Sequence, residues 1–123
     1  MTQREAREAG GRSPDQAIEV EVTCPDAAVA RHLARAALEA GMVACANILP
    51  EVESLYHWQE RIESDGEVLL RLKARLGTFD ALAALITRLH PYDLPAIVAL
   101  PVIASGPGYE AWLRDSTTCG RGA

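Results

Sequence analysis

Residues 52–62, VESLYHWQERI, read as one long period-2 strand, with Val52, Ser54, Tyr56, Trp58 and Ile62 sharing a face. At about 3.3 Å per residue such a strand spans roughly 35 Å, well beyond the usual five or six residues, and its excess length needs a partner to cover it. The next four residues, Glu63-Ser64-Asp65-Gly66, contain the Asp-Gly pair favoured in tight hairpins. Val68, Leu70 and Leu72 then alternate as the returning strand. A long hairpin therefore sits at the centre of the expected fold, and the other elements must pack around it.

Upstream, IEVEVT (residues 18–23) alternates Ile18, Val20 and Val22 with polar residues, the pattern of a strand with one buried face. Cys24-Pro25 breaks it, and Asp26 is placed to cap a helix carrying Val29, Leu33, Ala36, Ala37 and Ala40 until Gly41 ends it. The apolar run VACANIL (43–49) turns β again. Downstream, Gly77-Thr78 precedes Phe79, Leu82, Leu85, Ile86 and Leu89, a helical stripe capped by Thr78 and stopped by Pro91. Ile97 to Ile103 reads as a last strand, and Pro95 and Pro101 suit it to a sheet edge. The GPG at 106–108 turns the chain into a short closing helix.

The order is β-α-β-β-α-β plus a terminal helix, which predicts an α+β, ferredoxin-like sandwich with helices on one face of an antiparallel sheet. At 123 residues one domain is expected, bounded as 18–117. Residues 1–17 mix Arg with Glu and Asp around Gly10-Gly11 and Ser13-Pro14, and read as a loose tail, as do residues 118–123. The tail has no apolar core of a secretion signal, and its acidic residues do not suit a transit peptide, which favours the cytosol. No run of 18 or more apolar residues is present to span a bilayer, so no membrane partner is expected. The net charge of −5 without a basic stripe argues against nucleic acid.

Cys24, Cys45 and Cys119 are odd in number and widely spaced, giving neither a disulfide framework nor a zinc knuckle. Thiolate and imidazole are the donors copper and zinc favour, but no two of Cys24, Cys45, His32, His57 and His90 stand at a recognisable ligand spacing. His32 falls mid-helix among polar neighbours and reads as a solvated surface histidine. His57 points away from Tyr56 and Trp58, onto an exposed face. His90 ends a helix, where the dipole favours a cation, and a capping role needs no ligand at all. Nucleophile-elbow, zincin, P-loop and dinucleotide motifs are absent, so no enzyme is expected and no organic cofactor is implied.

Taken in order, TCPD (23–26), ACANILP (44–50), SLYHW (54–58), HPYDLP (90–95) and YEAWL (109–113) resemble the CutA family. The resemblance implies a homotrimer of ferredoxin-like subunits, an architecture similar to the PII signalling proteins, and tolerance of copper and other divalent cations. It implies a cleft between subunits formed by Cys45, Glu67, Lys73, His90 and Tyr92, with Trp58, Tyr109 and Trp112, in which His90 and Cys45 are the metal candidates and Cu(II) the first ion. Tyr56, Trp58, Tyr109 and Trp112 also read simply as interface core, and Lys73 with Glu67 as a solvated strand pair. Two positions depart from the family pattern: Ala96 replaces its usual acidic residue and Ala74 its usual threonine. Three roles stay open, namely a metal-binding tolerance protein, a PII-like sensor of a small molecule or anion, and a structural docking trimer.

Overall fold

The alternation of Ile18, Val20 and Val22 forms β1 (Ala17–Cys24), whose even-numbered residues are all buried. The structure, a computed structural model, describes residues 12–118. Residues 1–11 and 119–123, Cys119 among them, lie outside the described residues. Then come α1 (Ala27–Glu39), β2 (Cys45–Trp58), β3 (Arg61–Arg75), a 3-10 turn (Leu76–Thr78), α2 (Phe79–Leu89), β4 (Ile97–Pro101) and α3 (Tyr109–Asp115). The four strands form one antiparallel sheet in the order β2-β3-β1-β4, which is the expected ferredoxin-like α+β arrangement. β4 lies at the edge with Pro101 as its last residue, where a missing N–H costs no ladder bond.

Both long helices cover one face. Val20, Val22 and Cys24 of β1 and Leu70 and Leu72 of β3 pack with Leu33 of α1 and with Leu82 and Ile86 of α2, all at most 1% exposed. In α1, Asp26 is the cap, its Oδ1 accepting the Val29 N–H at 2.9 Å. The buried stripe, however, is Ala30, Leu33, Ala34 and Ala37, one position round from the Val29, Ala36 and Ala40 expected. The helix ends at Gly41, whose φ of +71° suits glycine and whose missing side chain leaves room for Thr118. Thr78 differs from expectation as well: its side chain makes no capping bond to α2, because a 3-10 turn already leads the chain into the helix. Ala74 is wholly buried and faces this core, so a small side chain fits there.

The segment before β1 has fixed partners from Pro14 on. The Leu76 and Gly77 N–H groups donate to the Gln16 and Pro14 carbonyls, both at 2.8 Å, and the Arg75 guanidinium meets Asp15 at 3.1 Å. Strand β1 itself begins at Ala17, one residue earlier than expected.

The hairpin turn lies elsewhere than the Asp-Gly pair predicts. Trp58 pairs with Arg61, and the two linking residues Gln59 and Glu60 take φ values of +48° and +65°, a type I′ geometry. Asp65-Gly66 sits inside β3, opposite Ser54 and Glu53. The reason is register. With the turn at 59–60, apolar Ala46 and Ile48 lie opposite Leu72 and Leu70, whereas a tight turn at 65–66 would set Leu70 and Leu72 against Arg61 and Gln59. Ile62 consequently belongs to β3, opposite His57, and not to the Tyr56 and Trp58 face. A bulge at Pro50-Glu51, with Glu51 at φ +61°, lets β2 run through its proline. Replacing Gln59-Glu60 by Asn-Gly is expected to raise stability by about 0.5–1 kcal/mol in urea denaturation, while Gly66→Ala leaves it level or higher. A loss in the first variant would contradict this turn.

β1 pairs with β3 only from Val68 to Arg75. The stretch from Val52 to Glu67 is therefore a two-stranded arm that projects past the core by roughly 23 Å, at about 3.3 Å per residue. It carries Leu55, Tyr56, Trp58 and Ile62 at 65%, 40%, 57% and 69% exposure.

Candidate functional site

The end of α2 and the root of the arm hold the first cluster. His90 caps α2, its N–H donating to the Ile86 carbonyl at 2.8 Å, and the residue is 7% exposed. Nδ1 accepts the Tyr92 N–H at 3.1 Å, which leaves the ring proton on Nε2, 2.9 Å from the Thr23 carbonyl on β1. The ring thus holds α2 to β1 and aims Tyr92, whose ring lies 4.6 Å away and whose hydroxyl donates to Glu67 Oε2 at 2.8 Å. On the same face of β3, Asp65 accepts a hydrogen bond from Tyr56. Burial, then the Glu67 hydrogen bond and charge, push the Tyr92 phenol up to about 12. Burial, then Glu67 and Asp26, push the Cys24 thiol up to about 11. Both shifts favour the protonated side chain, so their stabilising effect is complete below pH 9 and is lost as pH climbs toward 12.

The second cluster lies further along β3. Cys45 stands opposite Lys73, half-buried, and the Lys73 amine is 5.8 Å from the centre of the Tyr109 ring. The Tyr109 and Trp112 rings of α3 lie 5.5 Å apart, tilted by 51° to each other. Burial, followed by Glu19 and Cys45, raises the Tyr109 phenol. α3 therefore covers one end of the sheet face that α1 and α2 leave open.

The expected residues fall into these two groups. Glu67, His90 and Tyr92 come together, as do Cys45, Lys73, Tyr109 and Trp112, while Trp58 stands alone near the arm tip. His90 meets Thr23, which pairs with Leu69, four residues along β3 from the Lys73 that Cys45 of β2 faces. That is about 13 Å along the strands and two strand spacings of about 4.8 Å across, so Cys45 and His90 of one chain cannot share an ion at about 2.0–2.3 Å. No cluster of three His, Cys, Asp or Glu side chains poised for a metal occurs among the described residues. His32 and His57 are exposed, as the sequence predicts.

Sequence reasoning missed Thr23, Asp65 and Arg71. Arg71 Nε is buried without a hydrogen-bond acceptor, and its guanidinium stands 3.6 Å from both Glu19 and Glu21 on the open sheet face. Alternation of Glu19 and Glu21 with the apolar residues of β1 was the available signal.

Over residues 18–116 the chain matches the family model described as CutA1 divalent ion tolerance protein. The chain belongs to the CutA1 family. It is 41% identical over 96 residues to the divalent-cation tolerance protein CutA of Thermus thermophilus, covering 78% of this chain and 93% of that protein. Mouse Protein CutA is 38% identical over 96 residues, and the chain spans about half (54%) of its length. The crystal structure of CutA1 from Oryza sativa superposes with a TM-score of 0.81 at 36% identity, covering 84% of this chain and 94% of that one. The CutA1 description names tolerance of divalent ions and no reaction. No helix among the described residues is long and apolar enough to cross a membrane.

The two described thiols of this CutA1 chain differ in reach. In a Cys119→Ser protein, Ellman's reagent at pH 8 is expected to leave Cys24 unmodified until denaturant is added, because the thiol is wholly buried and its thiolate disfavoured. Prompt release of two equivalents from the folded protein would contradict that burial.

Proposed function

We propose that this chain works as a cytosolic homotrimer whose inter-subunit cleft binds a divalent cation, Cu(II) ahead of the others. The projecting arm carries the reading. A two-stranded ribbon with four large exposed apolar side chains is marginal in water, and the open sheet face adds Val98 and Leu100 at 52% and 46% exposure. An arm laid across the open face of the next subunit covers both surfaces, and three copies in a ring leave no arm unused. Donors at opposite ends of one sheet then belong to one cleft only if neighbouring subunits supply them.

Cys45 is the donor nearest to readiness, since its thiol has no hydrogen bond to surrender among the described residues. His90 reaches a metal only by giving up the Tyr92 N–H or the Thr23 carbonyl, which keeps affinity modest. Imidazole suits copper and zinc, and the Irving–Williams order puts Cu(II) first for a nitrogen donor. Titration calorimetry with Cu(II) is expected to show binding that weakens in Cys45→Ser and His90→Ala and persists in His32→Ala/His57→Ala, each checked for mass by light scattering. Wild-type affinity in the first two with loss in the last would place copper on surface histidines.

A second reading is favoured by one contact, the Lys73 amine over the Tyr109 ring beside Cys45. A cation held this way suits a small anionic ligand of a PII-like sensor. Thermal shift against nucleotides and small acids, lost in Lys73→Ala, would put that reading ahead of the metal.

A further inference from the structure

The sheet face that α1 and α2 leave open carries charge at its centre. Glu21 stands opposite Arg71 across β1 and β3, Glu19 stands opposite Lys73, and the Arg71 guanidinium lies 3.6 Å from both carboxylates. Two carboxylates against two cations leave the group neutral. On the β4 side, Val98 and Leu100 stand directly opposite Glu21 and Glu19, so charged and apolar side chains sit side by side on one face. Any neighbour that covers Val98 and Leu100 therefore covers the charges as well. These charges are already largely withdrawn from water: the Arg71, Glu19 and Glu21 side chains are 35%, 30% and 24% exposed, and Arg71 Nε is buried. At 3.6 Å from Glu19 Oε2, the Nε–H has a carboxylate close by and no bond made to it.

We infer that Glu19, Glu21 and Arg71 form the charge-matched centre of the subunit interface, buried beneath a second copy of this chain and balanced there by Lys73. The inference rests on the trimer proposed above. A second copy is the occupant because its arm brings Leu55 and Trp58, exposed apolar side chains that suit Val98 and Leu100. In the single chain each ion pair is partly solvated and contributes little. Under a neighbour that water is lost, and each charge then depends on its partner: a matched set is tolerated, whereas one unmatched charge is costly. The trio therefore acts on association and leaves the fold of one chain nearly untouched.

Sedimentation velocity over a dilution series tests this by giving the dissociation constant of the assembly for the wild type, Arg71→Met, Glu21→Gln and the Arg71→Met/Glu21→Gln double variant. Each single change leaves one charge unmatched and is expected to weaken association at least about a hundredfold. The double change restores the balance and should return association to within about tenfold of wild type. The same changes made in chains held apart by Leu55→Asp/Trp58→Asp should alter the unfolding constant by less than about tenfold, as partly solvated pairs do. A wild type of single-chain mass removes the trimer itself. Single variants that assemble as the wild type does, a double variant as weak as the singles, or a comparable loss of stability or fold in the separated chains overturns the inference and leaves the trimer standing.

Discussion

Leu55→Asp combined with Trp58→Asp is expected to convert the proposed trimer into single chains, read as a threefold drop in mass by light scattering at micromolar concentration. Leu55 and Trp58 lie on opposite faces of the arm and are 65% and 57% exposed in the single chain. Burying each against a neighbour stabilises the assembly by about 1.5–3 kcal/mol, and an aspartate in its place adds the cost of desolvating a charge. The two changes together remove on the order of 5 kcal/mol from every interface, which at about 1.4 kcal/mol per decade weakens association several thousandfold. The fold should survive, because the two strands of the arm pair only with each other and no arm residue belongs to the core around Leu70 and Leu72. Unchanged far-ultraviolet circular dichroism would verify that. Wild-type mass in the double variant would show that the arm is not the interface, and a monomeric wild type would remove the trimer outright.

That the hairpin is unusually long was legible in the sequence, although its geometry was not. The period-2 runs fix which face of β1 and β3 is buried, since a one-residue slip would turn Val20 and Leu72 outward, and this carries most of the fold. The Asp-Gly pair misled because turn preference is local and worth about a kilocalorie, whereas the register that sets Ala46 and Ile48 beside Leu72 and Leu70 gathers several buried contacts at once. Helix α1 shows the same limit in small: in an alanine-rich stretch, Ala30 and Ala36 look alike until the sheet decides which of them it covers. At the site, the motif HPYDLP brought out His90 and Tyr92, and the resemblance added Glu67. Their joining is a matter of tertiary placement, because Tyr92 meets a residue 25 positions away and His90 one 67 positions away. Spacing along the chain gives no sign of contacts that long.

His90→Ala is expected to cost about 2–4 kcal/mol, with no metal present, in chemical denaturation. The substitution strips a partner from the Thr23 carbonyl and from the Tyr92 N–H, both part-buried, and each orphaned group costs about 1–3 kcal/mol. A free Tyr92 backbone then loosens the hydroxyl from Glu67, so tyrosine fluorescence or the Tyr92 ring resonances should broaden or shift together with the loss of stability. Proton-detected nitrogen correlation on the wild type should show a neutral ring protonated at Nε2, the one tautomer that satisfies an acceptor on one side and a donor on the other. Lys73→Ala, by contrast, removes a partly solvated amine and should change stability by less than about 0.5 kcal/mol. Stability of His90→Ala equal to that of Lys73→Ala, or a ring protonated at Nδ1, would break the clamp. The same variant separates the clamp from the proposed metal-binding role of this histidine. If it loses stability yet binds Cu(II) as the wild type does, His90 holds α2 to β1 and aims Tyr92, and the cation is left to Cys45 and groups from the neighbouring subunit.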